Sequence, residues 1–124
     1  MTFTEKQLTA TLKIGMLMVF ADGKVEESET MVVSQELARF GVKDENTIKR
    51  LYLLSEAMSN EEMLASIANM NEDQKKYVTA YLGVILAIDG NLDEKEKALW
   101  TLTSLICKLP TMTISEAADY LNNL

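Results

Sequence analysis

Apolar residues recur at three- and four-residue steps along most of the chain, the spacing that lines one face of an α-helix. Thr4 with Gln7 makes a capping-box start, followed on one face by Leu8, Leu12, Met16 and Val19. A second stripe, Ile14, Leu17, Met18 and Ala21, makes this first helix apolar almost all round, so it is expected at the centre of the fold. It should stop at Asp22-Gly23, where glycine can take the left-handed conformation that ends helices. A second helix is predicted from about Glu26 to Phe40, ended by Gly41. Asp44 can cap a third, which carries Ile48, Leu51, Tyr52, Leu54 and Ser55 towards Met58, and Ser59 or Asn60 starts a short fourth with Met63, Leu64 and Ile67. Asn71 with Gln74 opens a long apolar helix that ends at Ile88. The next runs from about Asp93 to Leu109, carries Leu99, Leu102, Ile106 and Leu109, and stops before Pro110. A last helix follows Thr113 or Ser115, with Ala118, Tyr120 and Leu121. No stretch alternates apolar and polar residues long enough for a convincing strand. The expected fold is all-α, one compact domain over residues 1–124 with about seven helices.

The pattern also repeats. Asp22-Gly23-Lys24-Val25-Glu26-Glu27-Ser28-Glu29 returns 67 residues later as Asp89-Gly90-Asn91-Leu92-Asp93-Glu94-Lys95-Glu96. Each copy follows a long apolar helix and precedes a helix with an acidic start, which predicts a duplicated helix-turn-helix unit with pseudo-two-fold symmetry. Gly15 and Gly83 lie inside the two apolar helices, where glycine costs about 1 kcal/mol relative to alanine. A close crossing of these two helices near the glycines is the expected compensation.

The repeated octapeptide equals the second half of a calcium-binding EF-hand loop, in which Asp, Gly, an apolar residue and Glu fill positions 5, 6, 8 and 12. The first half is missing. Met18 and Phe20 in one copy, Ile85 and Ala87 in the other, stand where loop positions 1 and 3 need oxygen ligands, so neither copy is an EF-hand. What remains is Asp22, the Lys24 carbonyl, Glu26 and Glu29, then Asp89, the Asn91 carbonyl, Asp93 and Glu96. Two or three carboxylates, a carbonyl and water can hold calcium or magnesium weakly, and better if the other copy or a ligand adds oxygens. The same residues have a purely structural use. Asp93 with Glu96 can cap a helix, acidic residues in a first turn complement the helix dipole, and Gly23 and Gly90 can end the preceding helices.

Composition narrows the chemistry further. The chain has no histidine, which removes imidazole general acid–base catalysis, Ser-His and Cys-His nucleophiles and imidazole metal ligands. The net charge of −7 argues against binding a phosphate backbone and is compatible with a cation or a basic partner. Cys107 is the single cysteine, so no intrachain disulfide can form and a reducing, cytoplasmic location is expected; its apolar surroundings mark it as a core residue. No signal peptide is visible, and the apolar stretch from about Tyr77 to Ile88 is too short for a membrane span. Trp100, four residues after Glu96 and off the main apolar stripe, suits half-buried packing or the edge of a binding surface. Met16, Met18, Met63 and Met70 fall at core spacing and suit gap-filling.

Two motifs, Val19-Phe20-Ala21-Asp22-Gly23-Lys24-Val25 with Glu29 and Leu86-Ala87-Ile88-Asp89-Gly90-Asn91-Leu92 with Glu96, resemble the TerB-like family of tellurite-resistance proteins. They are also similar to the N-terminal domain of a membrane-anchored DnaJ-type co-chaperone. The likeness covers the chain from about Leu8 to Leu109. Ile88 departs from the small residue that the first copy has at Ala21. The resemblance implies a compact helical, non-enzymatic, cytoplasmic bacterial protein linked to stress or tellurite response, with divalent metal at Asp22 and Glu29 and at Asp89 and Glu96. The expected function is therefore cation binding at the two acidic turns and, through it, recognition of an unidentified protein partner. The alternative is an interaction scaffold in which the turns are only caps.

Overall fold

Short polar side chains set the helix starts in the computed structural model, which describes residues 1–21, 23–24, 27–88 and 93–124. Thr4, Asp44, Ser59, Asn71, Asp93 and Thr113 each accept a backbone N–H of the first turn, satisfying donors that have no partner inside a helix. The described residues form seven helices and no strand: α1 (Glu5–Phe20), α2 (Glu27–Arg39), α3 (Glu45–Ala57), α4 (Asn60–Ala68), α5 (Glu72–Ala87), α6 (Glu94–Cys107) and α7 (Ile114–Asn122). Gly23 and Gly41, at φ +79° and +85°, follow α1 and α2 in the left-handed conformation. Lys108, at φ 55°, ends α6 before Pro110 is reached, and Leu109 N–H donates to the Ser104 carbonyl at 2.9 Å.

The duplication is visible helix by helix. Moved on by 67 residues, α1 coincides with α5 from end to end and α2 begins where α6 begins. α1 and α5 pack together at the centre, and both are buried over most of their length. α3 covers α1 as α7 covers α5, while α2 and α6 each touch both central helices; α4 fills in between α1 and α6. The two copies meet at Gln7 and Gln74, the equivalent residues of the two capping boxes. Gln74 Nε2 donates to Gln7 Oε1 at 3.1 Å, and Gln7 Nε2 to Gln74 Oε1 at 3.4 Å. No helix among the described residues is long and apolar enough to cross a membrane.

Three expectations need correction. Gly15 does lie at the crossing of α1 and α5, where a Cβ would collide with the Tyr81 hydroxyl, but Gly83 faces Trp100 of α6 and Ala117 of α7 instead. On α6 only half of the expected stripe holds: Leu109 is buried and Leu99 packs against the core. Leu102 and Ile106 are 55% and 49% exposed, while Thr103, Cys107 and Glu96 face inward and Trp100 packs against the core. Cys107 Sγ reaches the Leu64 carbonyl of α4 at 3.5 Å. On α7, Ala117 is buried and Ala118 is only half-buried. Met18, Met63 and Met70 are buried as expected, and Met16 packs against the core.

Candidate functional site

Glu29 and Glu96 are the repeat-related acids of the two copies, in the first turns of α2 and α6. Both are withdrawn from water, at 0% and 2% exposure, among the most deeply buried large side chains of the protein. Carboxylates are almost never fully buried unless paired, because removing the charge from water costs several kcal/mol. Both take part in polar or electrostatic interactions, and the first turn of a helix adds the favourable positive end of its dipole. On α2 the inward face runs Glu29, Val32, Val33, Glu36, Leu37, so carboxylates occupy two positions of an otherwise apolar stripe.

Asp93 Oδ1 accepts the backbone N–H of Lys95 at 2.9 Å and of Glu96 at 3.1 Å. That is the capping role anticipated from the sequence, and it leaves Oδ2 as the oxygen this side chain could give a cation. Of the six acids proposed as ligands, Glu29, Asp93 and Glu96 are thus placed, whereas Asp22, Glu26 and Asp89 lie outside the described residues, as does the Asn91 carbonyl. Among the described residues, no group of three or more acidic, histidine or cysteine side chains is arranged to hold a metal ion.

A second buried polar cluster was not anticipated. Tyr77 Oη donates to Glu36 Oε1 at 2.7 Å, and Arg39 donates to the same carboxylate through Nε at 2.9 Å and Nη2 at 3.3 Å. Arg39 Nη2 also reaches the Leu121 carbonyl at 3.4 Å, tying α2 to α5 and α7. Burial drives the Tyr77 hydroxyl far above its ordinary pKa, and the Glu36 carboxylate adds to the effect, so Tyr77 stays a donor. The Glu36 hydrogen bond raises Arg39 and outweighs its partial burial. The signal was present in the sequence: Glu36 is seven residues after Glu29, two turns along the same face. Burial likewise raises the Cys107 thiol above its usual pKa, consistent with a packing role rather than a nucleophile.

No family model and no curated protein matches the chain. A crystal structure of a protein of unknown function from Porphyromonas gingivalis does, at 45% sequence identity and a TM-score of 0.86, over 100% of this chain and 99% of that one. The chain belongs to the family of that protein. Coverage of the whole of this chain places all seven described helices within the shared fold.

Proposed function

We propose that this protein is a non-enzymatic helical module whose two acidic Asp-Gly turns bind a divalent cation, calcium or magnesium, and use it to recognise a protein partner. The observation that supports this reading is the burial of Glu29 and Glu96 at equivalent positions of the two copies. Hard cations select oxygen ligands, and carboxylates already fixed by packing lose little freedom on binding. Asp22 and Glu26 with Glu29, and Asp89 and Asp93 with Glu96, are the donor sets read from the sequence. The TerB-like resemblance supports a cytoplasmic role in stress or tellurite response, and the acidic balance favours a protein partner over nucleic acid.

Calorimetry with calcium, magnesium and manganese on metal-stripped protein tests the proposal. Binding heat and a raised melting temperature are expected, both lost in Glu29→Gln and Glu96→Gln. Neither heat nor thermal stabilisation at millimolar metal would refute it. A second reading, a scaffold whose turns are only caps, is favoured by the two backbone N–H groups that Asp93 already holds. It predicts partner capture that is insensitive to chelator. In that case Asp22→Ala and Asp89→Ala each cost about 1 kcal/mol of stability and leave capture intact.

A further inference from the structure

The angle between α5 and α6 is open where the equivalent angle between α1 and α2 is closed. In the first copy Leu12, Val33 and Leu37 are buried there, and the space left is about 10 Å³, room for one water molecule. Moved on by 67 residues, those positions are Thr79, Trp100 and Ser104. They line a recess of about 220 Å³ that Pro110, Thr111 and Met112 complete ahead of α7. Three aliphatic side chains of one copy are thus two hydroxyls and an indole in the other, so packing of the duplicated unit does not require the opening. None of the side chains that line the recess is ionised. Trp100 is half-buried and lies against Gly83, one turn along α5 from Thr79. Its Nε1 is buried, and among the described residues no acceptor meets the N–H. Buried indoles normally find a partner, because a buried donor left unpaired is costly.

We propose that this recess binds a small uncharged molecule with a flat apolar body and a carbonyl oxygen, the oxygen accepting from Trp100 Nε1. The Trp100 ring, Pro110 and Met112 suit a flat apolar body, and the hydroxyls of Ser104 and Thr111 can donate to or accept from polar groups at its edge. The uncharged lining selects against an ionised occupant. A carboxylate would leave water without a counter-charge, in a protein already at a net charge of −7, and an ammonium group would find no carboxylate in the lining. A mostly apolar wall with a few placed polar groups is the usual make-up of a small-molecule site, but the volume is below the roughly 300–1,000 Å³ common for one. The occupant is accordingly limited to about ten non-hydrogen atoms. At a modest energy per atom its dissociation constant is in the millimolar range.

Trp100 is the only tryptophan, so the single indole N–H resonance of the isotope-labelled full chain reports on the site. The probe is N-methylbenzamide, a neutral ring amide, titrated in chelator so that the outcome is independent of any cation at the acidic turns. The expected result is a saturable downfield shift of the indole proton, half complete at millimolar probe. Benzoate and benzylammonium keep the ring but carry a charge, and each should bind about ten-fold more weakly or worse. Toluene has no acceptor and should not reproduce the downfield shift. Ser104→Leu restores the residue type that closes the first copy and should abolish binding, with circular dichroism and the dispersed indole resonance checking that the helices are intact. Trp100→Phe keeps an aromatic wall without the N–H and should weaken the probe about ten-fold, read from saturation transfer to its ring protons. No shift at tens of millimolar probe overturns the site and leaves the recess to water. Binding that survives Ser104→Leu overturns its place. Equal binding of the charged probes, or undiminished binding in Trp100→Phe, overturns the chemistry assigned to the occupant.

Discussion

Gly15→Ala should destabilise this protein although alanine is the better helix former. In an unhindered helix the change would stabilise by about 1 kcal/mol. At Gly15 the added Cβ overlaps the Tyr81 hydroxyl and lies 2.9 Å from Tyr81 Cζ and 3.0 Å from Cε2. The ring has no easy retreat. Tyr81 is buried at 2% exposure and stacks on Tyr77 with centroids 6.0 Å apart and planes 9° from parallel, while Tyr77 is held by Glu36. Overpacking a well-filled core costs about 1–3 kcal/mol, and contact this close belongs at the upper end. After the propensity gain, the net loss is about 1–2 kcal/mol, read as a fall in urea midpoint and in melting temperature by several degrees. Tyr81→Phe provides the control, because it deletes the nearest colliding atom. Gly15→Ala should cost about 1 kcal/mol less in the Tyr81→Phe background than in the wild type. A neutral or stabilising Gly15→Ala, or an identical cost in both backgrounds, would refute the close crossing of α1 and α5 at this point.

Two further outcomes follow from the helix caps. Asp93→Ala removes the acceptor for two first-turn N–H groups of α6 and should lower stability by about 1 kcal/mol in urea unfolding; an unchanged midpoint would show that the cap contributes nothing. Asp44 has its pKa lowered, chiefly by the Thr47 hydroxyl and then by the Thr47 backbone N–H. A carboxylate whose folded value is depressed stabilises above its unfolded pKa, near about 4, and loses that contribution as pH falls through the folded value. The deficit of Asp44→Ala should therefore be largest at neutral pH and vanish in acid, and a deficit independent of pH would contradict the assignment.

Much of the fold was legible in the sequence because its signals are local. Thr4, Asp44, Asn71 and Asp93 mark helix starts through bonds that span two or three residues, and they act whatever surrounds them. The 67-residue repeat similarly announced two equivalent halves, which meet at Gln7 and Gln74. Of the candidate site, the sequence supplied the acids and the capping role of Asp93 but not the depth of Glu29 and Glu96. Burial of a carboxylate is set by neighbours distant in the chain.

The sequence by itself determined an all-helical chain, its helix starts and its duplication. Only the tertiary structure decided which side of α6 faces inward. That helix carries apolar residues on both sides, so periodicity chose Leu102 and Ile106 along with Leu99 and Leu109, and only the latter two face inward. Packing chose Trp100, Thr103 and Cys107 instead: Gly83 of α5 leaves room for the indole, and the small Cys107 side chain fits the close contact with Leu64 of α4. The displaced leucines are left as an exposed row. Spacing along a chain says which residues share a face, and shape complementarity between helices says which face is buried.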